Sequence, residues 1–136
     1  MTLVIDASVA LKLFMDEEGS AEAAELLARN EWLIAPDLIT AELANAFWRV
    51  QRAGKMTLDQ QRDAMPRVTA LLSEVLPLRP LATMAMTMAR VLNHPAYDCF
   101  YLSLAEQRNA TFVTADRRFI AWVAGSEWAK RVVALH

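Results

Sequence analysis

The sequence predicts an α/β fold, a single domain in which a mostly parallel central sheet of about five strands is flanked by helices. Short apolar segments of strand character alternate along the chain with longer segments of helical periodicity. No internal repeat, low-complexity tract or linker interrupts this alternation over the 136 residues. Hydrophobic residues make up 55% of the chain, which is enough for a substantial core.

Each predicted strand is a short apolar segment, as expected of strands that are buried on both faces of a sheet. Helical segments lie between them, so that consecutive strands can run in the same direction through crossover connections. The predicted strands are Leu3–Ile5, Trp32–Ala35, Val75–Leu78, Thr111–Val113 and Val132–Leu135.

The helical segments carry recognisable start and stop residues. Ser20 is expected to cap one helix, and either Asp37 or Thr40 the next. Thr57 begins a capping box, and Pro66 is expected to kink or divide the helix that follows it. The predicted helices are Ala21 to about Arg29, a segment ending at Ala53 with Gly54 as its C′ residue, a segment after Thr57, Leu81–Leu92, Asp98–Arg108 and Arg118–Ala124.

Four carboxylates stand at the ends of these apolar elements. Asp6 and Asp116 each follow a predicted strand, and Glu42 and Asp98 lie near the start of helices. Ligands of open parallel sheets bind beyond the carboxyl ends of the strands, so all four acids are expected at one edge. No internal Lys or Arg matches them in number, and a buried acid needs a charge partner or must become neutral. A divalent cation is the simplest partner.

Each acid taken alone also has an ordinary structural explanation. Asp6 and Asp116 can be turn residues, and Glu42 can be a solvated helix acid paired with a nearby basic side chain. Asp98 can be a helix N-cap, although its helical neighbours Tyr101, Leu102 and Ala105 predict apolar surroundings. The metal-site interpretation therefore depends on the four positions as a set.

Other chemistries lack their characteristic residues. The two histidines, His94 and His136, have no nucleophile motif nearby, and His94 is expected to be a loop or cap residue. The sequence contains no P-loop, dinucleotide-binding glycine motif or nucleophile elbow. The single cysteine, Cys99, excludes an internal disulfide and a cysteine-rich zinc site. No signal peptide or membrane-spanning segment is predicted, so a cytoplasmic location without membrane association is expected.

Four sequence motifs, taken in series, resemble those of PIN-domain ribonucleases, and most closely those of VapC-type toxins from toxin–antitoxin pairs. The motifs are Val4–Val9, Thr40–Ala46, Tyr97–Ala105 and Thr114–Phe119, and they span nearly the whole chain. The resemblance implies metal-binding acids at Asp6, Glu42, Asp98 and Asp116 and a hydroxyl at Thr114, all of which are present. Cys99 is a small departure, since a smaller residue is usual after that aspartate.

The resemblance implies hydrolysis of RNA phosphodiester bonds with Mg²⁺ or Mn²⁺ as the cofactor. Asp6, Asp98 and Asp116 would be the first metal ligands. Glu42 would bind metal through water or help to remove a proton from the nucleophile, and Thr114 would orient a ligand or a water. The resemblance also implies a homodimer and a small antitoxin protein that blocks the site.

Basic residues near the acids are candidates for binding RNA. Asn45, Arg49 and Arg52 share a helical stripe with Glu42, and Trp48 lies beside it. Arg117 and Arg118 follow Asp116 in the sequence. Together with Asn45, Arg49 and Arg52 they form a candidate RNA track. A solvated helix face is the alternative. The net charge of −2 argues against coating of nucleic acid by bulk charge but leaves room for a local patch.

Three other functions remain possible from the residues. A receiver domain of signalling proteins also has an acidic Mg²⁺ pocket, but it needs adjacent acids after its first strand, and Asp6 is followed by Ala7. A phosphoaspartate-forming hydrolase needs a second acid two residues later, where this chain has Ser8. A non-catalytic interaction module is disfavoured by the four intact acids.

Overall fold

The computed structural model describes residues 1–29 and 31–135, and the strands within these ranges form one fully parallel sheet. The spatial order of the strands is β3-β2-β1-β4-β5, so the predicted α/β class is confirmed. The predicted third strand is displaced towards the N-terminus, because its last two residues lead into a helix instead. The strands are β1 Thr2–Ile5, β2 Trp32–Pro36, β3 Glu74–Leu76, β4 Thr111–Thr114 and β5 Val132–Ala134.

Seven α-helices and one 3₁₀ helix (Ala129–Arg131) connect the strands in the described ranges. Within these ranges, no helix is both long enough and apolar enough to cross a membrane. The predicted helices are confirmed with shifted bounds, and α1 was not predicted. The helices are α1 Ala7–Lys12, α2 Ser20–Ala28, α3 Leu38–Arg52, α4 Leu58–Leu71, α5 Arg79–Leu92, α6 Ala96–Arg108 and α7 Arg117–Val123.

The core lies between the sheet and its helices, and α6 packs across β1, β2 and β4. The central strands contribute fully buried side chains such as Val4, Ile34 and Phe112, and α6 contributes Leu102 and Leu104. Burying one such side chain stabilises the fold by about 1.5–3 kcal/mol. This packing holds the start of α6, where one of the four acids lies, against the centre of the sheet.

The strand order places a topological switch point between β1 and β4. From β1 the chain adds β2 and β3 on one side, then crosses over to add β4 and β5 on the other side. In open α/β sheets the ligand crevice lies at this point, beyond the carboxyl ends of the two strands. Ile5 pairs in register with Val113. Asp6 directly follows β1 and Thr114 is the last residue of β4, so the two residues lie side by side at this edge of the sheet.

Some predicted caps differ from those in the structure. Ser20 is the first residue of α2 and not its cap, because Gly19 with φ 92° occupies the cap position. The hydroxyl of Ser20 donates to the Met15 carbonyl instead. Asp37 is the N-cap of α3, but its carboxylate accepts from the Thr40 hydroxyl at 2.8 Å and makes no capping bond to the backbone.

Other predicted ends are confirmed by their hydrogen bonds. Gly54 has φ 78° after α3, and the N–H groups of residues 54 and 55 bond back to the carbonyls of Gln51 and Val50. These two bonds define a Schellman motif. Thr57 and Gln60 form the predicted capping box. Pro66 lies inside a continuous α4, so the expectation that it divides the helix was wrong.

Candidate metal centre and nucleic-acid interface

Asp6 lies at the carboxyl end of β1 and caps α1. Its Oδ1 accepts from the Val9 N–H at 3.0 Å and from the Ser8 hydroxyl at 2.6 Å. Its Oδ2 accepts from the Thr114 hydroxyl. All three donors are neutral, and Asp6 is only 8% exposed. Burial therefore raises the pKa of Asp6 above its ordinary value, although the hydrogen bonds from Ser8, Thr114 and Val9 oppose this rise.

Thr114 connects the ends of β1 and β4. Besides donating to Asp6, its buried hydroxyl accepts from the backbone N–H of Asp116 at 3.0 Å. A hydroxyl is both donor and acceptor, so it can join a carboxylate to an N–H group. That Thr114 orients a metal ligand or a water stays a prediction, with which its hydrogen bond to Asp6 is compatible.

Asp116 caps α7 with one of its two carboxylate oxygens. Oδ1 accepts from the N–H groups of Arg118 at 3.0 Å and Phe119 at 3.2 Å. Both bonds fall on the same oxygen, and the residue is exposed. Capping and metal binding are therefore compatible for Asp116. Asp6 also caps a helix, but it is buried and both of its oxygens accept hydrogen bonds, so a metal would share Oδ2 with the Thr114 hydroxyl.

Glu42 faces α6 from the second turn of α3. Its carboxylate accepts from the hydroxyl of Tyr101, whose ring stacks on Phe112 of β4 at a centroid distance of 5.4 Å. The alternative of a Glu42 paired with Arg or Lys is not found among the ion pairs of the described residues. Burial is the main cause that raises the pKa of Glu42, and the charges of Asp6 and Asp98 raise this pKa further. The hydrogen bond from Tyr101 opposes the rise.

Asp98 is the third residue of α6 and is not its N-cap, because the helix begins at Ala96 after Pro95. Its side chain is 34% exposed, and its Oδ2 lies 2.9 Å from Nε2 of His94. The neighbours expected on its helix face, Tyr101, Leu102 and Ala105, are buried, while the carboxylate itself contacts the His94 ring nitrogen. The helix begins two residues earlier than predicted, and His94 lies in the loop before it, four residues ahead of Asp98.

Three of the acids share one electrostatic field. The charge of Asp98 raises the pKa of Asp6, and the charges of Asp6 and Asp98 both raise the pKa of Glu42. The backbone N–H of Asp116 donates to Thr114, which in turn donates to Asp6. In residues 1–29 and 31–135, however, no three His, Cys, Asp or Glu side chains are grouped closely enough to enclose an ion by themselves.

The donor set fits a hard divalent cation. Mg²⁺ keeps several of its waters and is commonly bound by only one or two carboxylates, so a closed cage of side chains is not required. Carboxylate oxygens suit Mg²⁺ and Mn²⁺. Asp6 is a buried acid whose hydrogen-bond donors are all neutral. Its neighbours Glu42 and Asp98 also form no ion pair with a Lys or Arg among the described residues. A cation at this position would relieve their mutual repulsion.

Clefts on either side of α1 contain four of the five residues predicted to bind RNA. A cleft of about 340 Å³ between α1 and α3 is lined by Glu42, Asn45 and Arg49. A second, of about 770 Å³, is lined by Lys12, Glu18, Gly19, Glu22, Thr114, Ala115, Asp116, Arg117, Arg118, Ala134 and Leu135. Each cleft thus combines at least one of the acids with at least one arginine.

Arg52 differs from the other predicted RNA-binding residues. Its guanidinium lies over the ring of Trp48, 5.3 Å from the ring centroid, on the exposed side of α3. It does not line the cleft beside Glu42.

Three residues in the site were not predicted to have a role. Ser8 and Tyr101 hold Asp6 and Glu42 by their hydroxyls, and His94 lies against Asp98. The spacing of two residues from Asp6 to Ser8 and of four from His94 to Asp98 was visible in the sequence. The contact between Tyr101 and Glu42 was not, because 59 residues separate them. His136 lies outside the described residues.

Comparison with known proteins identifies the family. Ribonuclease VapC3 of Pyrobaculum aerophilum is 28% identical over 120 residues, which cover 87% of this chain and 92% of that protein. Ribonuclease VapC9 of Mycobacterium tuberculosis is 30% identical over 116 residues, which cover 85% and 87%. The crystal structure of VapBC2 from Rickettsia felis bound to a promoter DNA fragment shares the fold, with 15% identity and a TM-score of 0.71 over 100% of both chains. Residues 3–123 match the PIN domain, so the chain belongs to the PIN-domain family, as its sequence motifs predicted.

Proposed function

We propose that this protein is a divalent-metal-dependent endoribonuclease that acts as the toxin of a toxin–antitoxin pair. The observation that carries the proposal is the gathering of acids at the switch point between β1 and β4, in a chain whose curated relatives are named ribonucleases. Of the three alternatives drawn from the sequence, the receiver domain and the silent interaction module are not favoured by this family membership.

The residues proposed to hold Mg²⁺ or Mn²⁺ are Asp6, Asp98 and Asp116, with Glu42 as a ligand through water. When bound, the cation supplies positive charge that neutralises the acids, polarises the scissile phosphate and makes water easier to deprotonate. Asp6 is pre-positioned by its three hydrogen bonds, and Asp116 by the two that cap α7. Such fixed ligands need little rearrangement when a substrate arrives.

Glu42 is the proposed proton acceptor. Its pKa is raised by burial and by the neighbouring acids, which makes it a stronger base than an exposed glutamate. The Tyr101 hydroxyl fixes one carboxylate oxygen, Oε1. The tyrosine itself does not supply a proton at neutral pH, because burial and the hydrogen bond to Glu42 raise its pKa well above the ordinary value.

The proposed RNA path follows the two clefts. Arg49 and Asn45 line one, Arg117 and Arg118 line the other, and Arg52 extends the first along α3. Arginine binds phosphate through several N–H donors at once, so these residues can hold the backbone on both sides of the scissile bond. This arrangement compensates locally for the net charge of −2.

An antitoxin protein and a second copy of this chain are the proposed partners. Structures with this fold include the VapBC2 complex of Rickettsia felis and a toxin–antitoxin complex of Klebsiella pneumoniae. A groove of about 900 Å³ between the end of α1, α2 and α4 suits an antitoxin helix, because the apolar Phe14, Leu27 and Leu71 line it beside charged side chains. An amphipathic segment with an apolar face matches that lining.

Incubation of the purified protein with total cellular RNA tests the proposed activity. Cleavage is expected with Mg²⁺ or Mn²⁺ and not with a chelator, and Asp6→Asn prepared in parallel is the control for contaminating nuclease. Cleavage that continues undiminished under chelation, or in the Asp6→Asn preparation, would reject the metal-dependent mechanism.

A further inference from the structure

His94 lies in a loop, as predicted, but its contact with Asp98 was not predicted from the sequence. It lies between α5 and α6, its side chain is 19% exposed, and its Nε2 is 2.9 Å from Oδ2 of Asp98. A carboxylate has no proton to give, so the ring N–H is the donor in this hydrogen bond. The bond uses one oxygen of Asp98 and leaves Oδ1 available for another interaction.

Aromatic side chains from α7 fix the ring of His94. Its centroid lies 5.1 Å from that of Phe119 and 5.7 Å from that of Trp122. Its backbone N–H bonds to the Ala89 carbonyl at 3.1 Å, and the indole N–H of Trp122 donates to the Leu92 carbonyl. The imidazole therefore has little freedom to turn away from Asp98.

The same helix α7 begins at Asp116. His94 thus connects two of the acids: it contacts Asp98 directly, and it packs on the helix that Asp116 caps. A side chain with only packing duties would not need a polar ring here, since Phe or Leu would fill the same space between Phe119 and Trp122. The donor at Nε2 is the property that an apolar residue would lack.

We infer that His94 is a positioning residue that orients the carboxylate of Asp98 for metal binding, an inference that rests on the proposed function. Asp98 is one-third exposed and lies in the first turn of its helix, where an unrestrained side chain has several rotamers. A hydrogen bond from a fixed ring selects one of them. Partners of this kind typically change metal affinity by about 10–100-fold when they are removed.

The test compares His94→Phe with His94→Gln by titration calorimetry with Mn²⁺ and by RNA cleavage. Phe keeps a ring between Phe119 and Trp122 but has no donor, whereas Gln keeps an N–H donor and loses the ring. His94→Phe is expected to weaken Mn²⁺ binding by about 10–100-fold. His94→Gln is expected to bind Mn²⁺ more tightly than His94→Phe, and saturating Mn²⁺ should restore cleavage by His94→Phe.

A double-variant cycle with Asp98→Asn identifies the route of the effect. If His94 acts through Asp98, His94→Phe adds no further loss of Mn²⁺ affinity in the Asp98→Asn background. Equal losses in both backgrounds would overturn the inference. So would unchanged Mn²⁺ affinity in His94→Phe alone. Should His94→Phe fail to fold, as judged by its thermal melt, His94→Met replaces it, because a flexible thioether also packs on aromatic rings.

The wild-type titration separates this inference from the proposed function. If wild type binds no Mn²⁺ and cleaves no RNA, the proposed metal-dependent function fails, and the inference fails with it. If wild type binds Mn²⁺ and cleaves RNA while His94→Phe does the same with equal affinity, only the inference fails.

Discussion

Thr114 and Asp6 are 108 residues apart in the chain, yet the hydroxyl of Thr114 donates a hydrogen bond to the Asp6 carboxylate across β1 and β4. Thr114 also accepts from the Asp116 N–H, so one buried hydroxyl sets the relative positions of two proposed metal ligands. The parallel pairing of β1 with β4 makes this contact possible, because the carboxyl ends of both strands lie at the same edge.

The first prediction follows from that contact. Thr114→Val keeps the size and shape of the side chain but removes its donor and its acceptor. The free energy of unfolding is expected to fall by about 1–3 kcal/mol, because a buried carboxylate and a backbone N–H each lose a partner. Denaturant unfolding measures this loss, and Thr114→Ser is the matched control that keeps the hydroxyl. If Thr114→Val is as stable as Thr114→Ser, the hydroxyl does not support the site.

The second prediction concerns the proposed RNA path. Arg49→Ala and Arg117→Ala should each weaken RNA binding and reduce the slope of log affinity against log salt by about 1, because each removes one phosphate contact. Arg29→Ala is the matched control, since Arg29 lies beside Met1 and Thr111 at the opposite edge of the sheet. The double variant Arg49→Ala/Arg52→Ala should flatten the slope further. Salt titration of RNA binding by a metal-free protein provides the measurement, and equal slopes for all variants would make these residues a solvated surface.

The third prediction concerns growth of cells that express the chain alone. Wild type should arrest growth, and Asp98→Asn should relieve the arrest at equal soluble yield, because the variant loses a proposed ligand with little change in shape. Colony counts after induction, with immunoblots for protein level, give the readout. Normal growth at a high level of soluble wild-type protein would contradict the toxin role and leave the nuclease proposal standing. Co-expression of a protein encoded by an adjacent gene should restore growth if that protein is the antitoxin.

The sequence predicted the fold class because its information is local: short apolar runs, helical periodicity and capping residues such as Thr57 each act within a few positions. Helix starts were less accurate, since Ala96 begins α6 without a capping side chain and Pro95 supplies only a favourable backbone angle. Because α6 begins two residues earlier than predicted, Asp98 is not the N-cap that the sequence allowed. A cap and a metal ligand prefer the same residue type, so the sequence could not separate these roles for Asp6 or Asp116, and the structure makes each of them a cap.

Contacts between distant parts of the chain could not be predicted from the sequence pattern. The hydrogen bond from Tyr101 to Glu42 depends on how α6 crosses the sheet, which no local motif encodes. Trp122 illustrates the same limit, because its indole N–H donates to the carbonyl of Leu92, 30 residues away in the chain.

The last prediction uses pH and Mn²⁺ to separate a buried metal ligand from an ordinary helix cap. The pKa of Asp6 is raised above its ordinary value of 3.8 and that of Glu42 above 4.5. A raised pKa means that the native state holds its proton more tightly than the unfolded state. These two groups therefore stabilise the metal-free protein below the ordinary values, and this contribution is lost as the pH rises through the native values.

Asp6→Asn removes one of these titrating groups while its amide oxygen can still cap α1. The stability of the metal-free variant should therefore decline less than that of wild type between pH 4 and pH 7, a range of about three units chosen to span the ordinary carboxylate values and neutrality. At neutral pH the variant should be as stable as wild type or more stable. Mn²⁺ should raise the melting temperature of wild type more than that of Asp6→Asn, because a ligand of the native state stabilises it in proportion to its affinity. Thermal melts of both proteins at the two pH values, with and without Mn²⁺, measure all of these effects. If Asp6 serves only as a cap, the two proteins will show the same response to Mn²⁺.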